Sequence, residues 1–193
     1  ETFDRQKPRI RQASNTLVAL ALVLAMHDDD HRLKTAAPAL LTAAQAVAKA
    51  PDYELAKAAS AALGQTTSGA AAPSDYSPAW EKVASLGALM DEVQILYNKL
   101  RRGVTGRRFE STAADSAQLA AVVAAISQVV LYDTHEVKDP GDLDAWYDMC
   151  AEMRDSAAEL HVALQATDQE AAKTALERLD HSCHDCHAVF RPD

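Results

Sequence analysis

The sequence predicts an all-α protein. Residues 78–193 read as an antiparallel four-helix bundle, preceded by a three-helix segment over 1–66 and a linker at 67–77. Three observations carry this reading. Alanine dominates the chain, glycine numbers only six, and aromatic and β-branched residues are thin; that balance favours helix over sheet, because alanine and leucine lose little on entering a helix. Apolar residues recur three and four apart through the second half of the chain, the period of a helix with one buried face. The chain also resembles itself, since residues 52–63 parallel 168–179. Because 48% of the 193 residues are hydrophobic, a sizeable core can form.

The first helix is expected over 12–30. Its run Asn15-Thr-Leu-Val-Ala-Leu-Ala-Leu-Val-Leu-Ala-Met26 follows Lys7, Arg9 and Arg11, like a signal-peptide core behind a basic region. No small-x-small cleavage site follows, however, and the run passes straight into His27-Asp28-Asp29-Asp30-His31. It is also shorter than the roughly 20 residues a membrane span requires. The run therefore reads as a buried helix. Pro38 opens a second helix, Ala37 to Lys49, and Pro51 and Asp52 introduce a third, Asp52 to Leu63, since proline suits a first helical turn. The Gly, Ser, Thr and Pro of GQTTSGAAAPSDYS mark the linker.

Four better-marked helices follow. Ser77 or Pro78 opens the first, whose apolar positions Trp80, Val83, Leu86, Met90, Val93, Tyr97 and Leu100 run to about Arg102, with Gly103 and Gly106 ending it. Ser111 or Thr112 caps the second, with Leu119, Val122, Val123, Ile126, Val129 and Val130 inward. A polar loop, 133–142, leads to the third, which carries Leu143, Trp146, Cys150, Met153, Ala157, Leu160 and Leu164 on one stripe. Asp168 caps the last, with Glu170 in its first turn; Ala172, Ala175, Leu176, Leu179, Cys183, His187 and Phe190 lie along it.

The internal repeat has consequences further along. Asp52, Glu54, Ala56, Lys57, Ala59 and Leu63 coincide with Asp168, Glu170, Ala172, Lys173, Ala175 and Leu179 at one offset. Carried forward, that offset sets Thr67 opposite Cys183, Ala70 opposite Cys186 and Ala71 opposite His187. Asp29-Asp30-His31 similarly parallels Asp133-Thr134-His135. The first half reads as a degenerate copy of the second that lacks its C-terminal chemistry.

That chemistry lies in His181-Ser-Cys183-His-Asp-Cys186-His187. Cys-x-x-Cys-His is the pattern of covalent haem attachment. Two thiols three residues apart on a helical turn can reach two vinyl groups on one side of a porphyrin, and the next residue presents an imidazole to the iron. Two alternatives compete. A redox dithiol uses Cys-x-x-Cys alone, typically at a helix N-terminus beside a βαβ unit. A zinc site could draw on the same cysteines with His181, His184 or His187, but a second ligand pair well separated in sequence is not evident. Haem is the favoured reading: one covalent haem c on Cys183 and Cys186, with His187 as axial ligand.

Cys183-His-Asp-Cys-His-Ala-Val-Phe-Arg191, closing a four-helix chain, resembles the cytochrome c′ family, the class II c-type cytochromes. Their attachment motif lies near the end of the last helix, and an aromatic residue and an arginine typically follow the histidine, as Phe190 and Arg191 do here. The resemblance spans roughly 78–193. It implies that the first bundle helix covers the other face of the haem, with Leu86, Met90 and Val93 along it, and that Met90 supplies a thioether trans to His187. Leu86 and Leu89 are the apolar alternatives facing an open iron. Arg191 pairs with a haem propionate or complements the helix C-terminus.

The function implied is electron transfer; the alternative is a five-coordinate protein binding nitric oxide or carbon monoxide. An enzyme such as a small peroxidase is not expected, because the first bundle helix offers no acid–base pair. The formal net charge of −9 argues against nucleic acid and anionic membranes and for a redox partner of basic character. The resemblance also brings a homodimer into view, although the extra N-terminal segment departs from the family where its usual dimer interface is concerned. Covalent haem attachment takes place outside the cytoplasmic membrane in bacteria, so a periplasmic location follows, with the export signal removed before Glu1.

Overall fold

The computed structural model describes residues 2–68 and 77–191. Among these every regular element is helical: α1 Thr2–Met26, α2 Ala37–Lys49, α3 Tyr53–Thr67, α4 Leu86–Thr105, α5 Phe109–Val130, α6 Leu143–Gln165 and α7 Gln169–Phe190, with a 3-10 turn at Pro140–Asp142. They belong to two compact units, Glu1–Glu92 and Val93–Asp193. The expected linker falls largely on 69–76, and so do Ala70 and Ala71; these lie outside the described residues.

In the first unit α1 packs on α2 and α2 on α3. Val18, Ala19, Leu22, Leu41 and Ala44 are essentially sealed from solvent. Thus the apolar run 15–26 is a core helix of this unit. The helix begins ten residues earlier than the sequence suggested and carries Pro8 within it. Asp52 caps α3 by accepting from the Leu55 amide at 3.0 Å.

The expected helical start at Ser77 or Pro78 is not observed; α4 begins only at Leu86. The cause is tertiary. Gln45 donates its side-chain amide to the Val83 carbonyl at 2.9 Å, and the Ser85 amide donates to buried Asn15 Oδ1 at 2.7 Å. These bonds satisfy non-helical backbone that would otherwise gain by coiling. Trp80 and Val83 therefore lie before the helix, not on its stripe.

The second unit is an antiparallel bundle, legible from its cross-helix pairs. Gln169 Nε2 donates to the Val104 carbonyl at 2.8 Å, while Tyr97 lies beside Asp180, so α4 and α7 run in opposite directions. His161 Nδ1 pairs with the Ala117 carbonyl at 2.8 Å, and Arg154 donates to Gln128 at 3.0 Å, setting α6 antiparallel to α5. Arg178 on α7 reaches Glu152 and Glu159 on α6. α5 is long and apolar enough to cross a membrane, but half of that stretch is buried within the protein, where it packs on α6.

Two boundaries differ from the sequence expectation here as well. α4 continues through Gly103 to Thr105. A Cβ on Gly103 would come within 2.6 Å of Ser116 Oγ, so this glycine permits close approach of α5 and does not stop the helix. Gly106 is the stop: a Cβ there would meet the Arg102 carbonyl at 2.5 Å. α5 starts at Phe109, and Ser111 and Thr112 do not cap it; their hydroxyls donate back to the Arg108 carbonyl inside the first turn. Asp168 caps α7 as expected, accepting from Ala171 N at 3.0 Å. This is the cap Asp52 makes at the matching repeat position, and each unit shows the same order of consecutive packed helices, α1–α2–α3 and α5–α6–α7.

Candidate haem-attachment site

The last turns of α7 carry every residue of the attachment pattern. Cys183 and Cys186 are half-buried free thiols, and His187 and Arg191 are exposed. Positions three and four apart lie one above the other on a helix, about 5–6 Å between Cβ atoms. The two thiols and the imidazole therefore form one short ladder, at the end of the bundle away from Gln169. Burial of Leu176, Leu179 and Ser182 on the same helix anchors that ladder to the core.

Three neighbours from other helices fix this end of α7. Trp146 of α6, only 2% exposed, meets Phe190 edge to face, with centroids 5.0 Å apart and planes at 87°, and donates its indole N–H to the Leu131 carbonyl at 3.3 Å. Cys150 of α6 is buried close to Cys186. Tyr97 of α4 lies beside Asp180, three residues before Cys183. Neither the Trp146–Phe190 contact nor the place of Asp180 is legible in the sequence. Both pairings depend on the register between helices, for which no single segment carries a signal.

The electrostatics separate the chemical alternatives. Burial, then the nearby Asp180 carboxylate, pushes the Cys183 thiol up to about 11, and burial raises Cys186. A redox dithiol needs the reverse, a thiol acidified by cations or a helix N-terminus. Among the described residues no group of three or more His, Cys, Asp or Glu side chains converges on a metal-binding point, neither here nor at His27 to His31. Burial, then Arg191 and His184, lowers the pKa of His187, favouring the neutral imidazole that metal ligation requires. Two unpaired thiols one turn apart beside a neutral imidazole fit a thioether-linked haem.

Met90, Leu86 and Val93 lie on α4, with Val93 buried and the other two half-buried. The most buried positions of the helix are Leu89, Val93, Leu96, Leu100 and Val104, so its core stripe is turned by one residue from the expected one. His135 is paired with Asp133 at 2.6 Å and with Glu136 at 3.1 Å.

Comparison with known proteins gives one family match: residues 141–191 match the family model described as Cytochrome C'. The matched stretch spans α6 and α7 and ends at Arg191. No curated protein and no solved structure matches the chain. That match falls on the helices that carry and pack the attachment pattern, so over residues 141–191 the chain is similar to the cytochrome c′ family.

Proposed function

We propose that this protein is an exported, non-enzymatic electron carrier with one haem c, held by thioethers to Cys183 and Cys186 and ligated by His187 and Met90. The observation that carries the reading is the ladder of two free thiols and a neutral imidazole at the end of α7, inside the stretch that matches the family. Bound there, a haem would supply a one-electron ferrous–ferric couple.

The chain's own residues do the rest. The thiols hold the group regardless of how strongly the iron is ligated. His187 presents its nitrogen in the unprotonated form. The Trp146–Phe190 contact steadies the turn that carries it. Met90 is seven residues, two turns, before Tyr97 on the same helix, and residues seven apart share one face. Tyr97 is the α4 residue that neighbours Asp180, close to Cys183, which supports Met90 as the second axial ligand over an iron left open beneath Leu86 and Leu89. A thioether opposite imidazole raises the reduction potential relative to two imidazoles. The periplasm is the compartment this attachment chemistry implies, and a basic redox partner suits the acidic chain.

A second reading, reversible binding of nitric oxide or carbon monoxide at a five-coordinate iron, is favoured by the apolar core stripe of α4. Absorption spectra of the purified holoprotein in both oxidation states separate the two. Electron transfer with Met90 ligation predicts low-spin spectra with a weak far-red ferric band that Met90→Ala abolishes. A broad high-spin Soret band, unchanged by Met90→Ala, would establish the gas-binding reading instead.

A further inference from the structure

The net charge of −9 conceals a local reversal. Lys99, Arg101, Arg102, Arg107 and Arg108 fall within ten residues at the turn between α4 and α5. Four of them, Lys99, Arg102, Arg107 and Arg108, line an open cleft of about 480 Å³ in the second unit, within the size range of small-ligand sites. Gly103 and Gly106 form part of its wall, and neither could carry a side chain without displacing Ser116 Oγ or meeting the Arg102 carbonyl. Among the lining side chains the acidic one is Asp115. The first turn of α5 begins here, next to Arg107 and Arg108.

We propose that this cleft binds a small soluble ligand bearing two or more phosphate groups. Four cations converging from two sides of a turn outnumber the one carboxylate, and they remain close together in an otherwise acidic protein. Three of them are guanidinium groups, whose planar fork matches the geometry of phosphate oxygens. The α4–α7 register sets the cleft apart from the haem ladder. Gln169, at the start of α7, bonds Val104 beside the cleft, and Cys183 is fourteen residues further along, about 21 Å at the helical rise. The site is thus separate from the attachment chemistry, and binding there leaves the iron's ligands untouched.

The test is calorimetric titration of the full-length holoprotein with inorganic pyrophosphate at constant ionic strength. The expected result is saturable one-to-one binding that weakens at least tenfold in Arg102→Ala/Arg107→Ala, while the haem spectrum stays the same. An equal concentration of sulfate should bind markedly more weakly. Absence of saturable binding, or binding that the double substitution leaves intact, would overturn the proposal. So would tighter association with phosphatidylglycerol vesicles or with poly-aspartate than with pyrophosphate, since the cleft would then be a membrane or protein contact. Thermal unfolding of the double variant distinguishes a lost site from a lost fold, and Arg102→Lys/Arg107→Lys should restore part of the affinity.

Discussion

Trp146 is the most informative single side chain for the architecture around the attachment pattern. Replacing it with alanine removes an indole that is 2% exposed, the edge-to-face contact with Phe190, and the N–H bond to the Leu131 carbonyl. An indole buries about 200 Å², which at about 25 cal/mol per Å² amounts to roughly 5 kcal/mol, an upper figure because unfolded chains already bury some of this area. Collapse of the site lowers the cost, and loss of the aromatic pair adds about 1 kcal/mol. The expected destabilisation is therefore about 4 kcal/mol, within the range seen for buried aromatic truncations. Trp146→Phe keeps a ring against Phe190 and loses the indole bond and some area, for about 1–2 kcal/mol. With a urea dependence of about 2 kcal/mol per molar, Trp146→Ala should lower the unfolding midpoint of the second unit by about 2 M, and Trp146→Phe by less than half that. Circular dichroism during urea titration of the holoprotein measures both. A shift under about 0.5 M for Trp146→Ala, or equal shifts for the two variants, would show that the ring is not packed against the end of α7.

Other outcomes follow from the same geometry. Asp168→Ala leaves the Ala171 amide without its cap and should cost about 1 kcal/mol, read as a lower midpoint, whereas Asp168→Ser should recover most of it. Burial lifts the Cys150 thiol from 9.0 to about 12, so the neutral thiol is favoured in the folded state. Its contribution to stability is complete below pH 9 and declines as pH rises from about 9 towards 12; Cys150→Ala should flatten that part of the stability profile, and native Cys150 should resist alkylation at neutral pH until the protein unfolds.

The elements whose limits are set by local chemistry were legible in the sequence. Ala37 to Lys49 is bounded by Pro38 and Pro51, and α7 by Asp168, because proline geometry and an acidic cap act within a few residues. The attachment pattern itself is contiguous, so its residue types and spacing could be read directly. What escaped depends on distant partners. The start of α4 is decided by Asn15 and Gln45, some 70 and 38 residues away. Gly103 looked like a helix stop because its real role, closeness to Ser116 on the next helix, is tertiary. The Tyr97–Asp180 pair and the approach of Cys150 to Cys186 likewise depend on helix register. The cationic cleft escaped for another reason: a net charge of −9 argues against anionic partners for the chain as a whole, although five cations stand within residues 99–108.

Covalent attachment at Cys183 and Cys186 underlies every functional statement about this protein. Intact-mass spectrometry of the protein matured in a host competent for cytochrome c assembly, run under denaturing conditions, addresses it most directly. The expected mass is that of the chain plus one haem, retained through acid-acetone extraction and reduced to the bare chain in Cys183→Ser/Cys186→Ser. A wild-type mass equal to the bare polypeptide, with all pigment in the acetone phase, would contradict it.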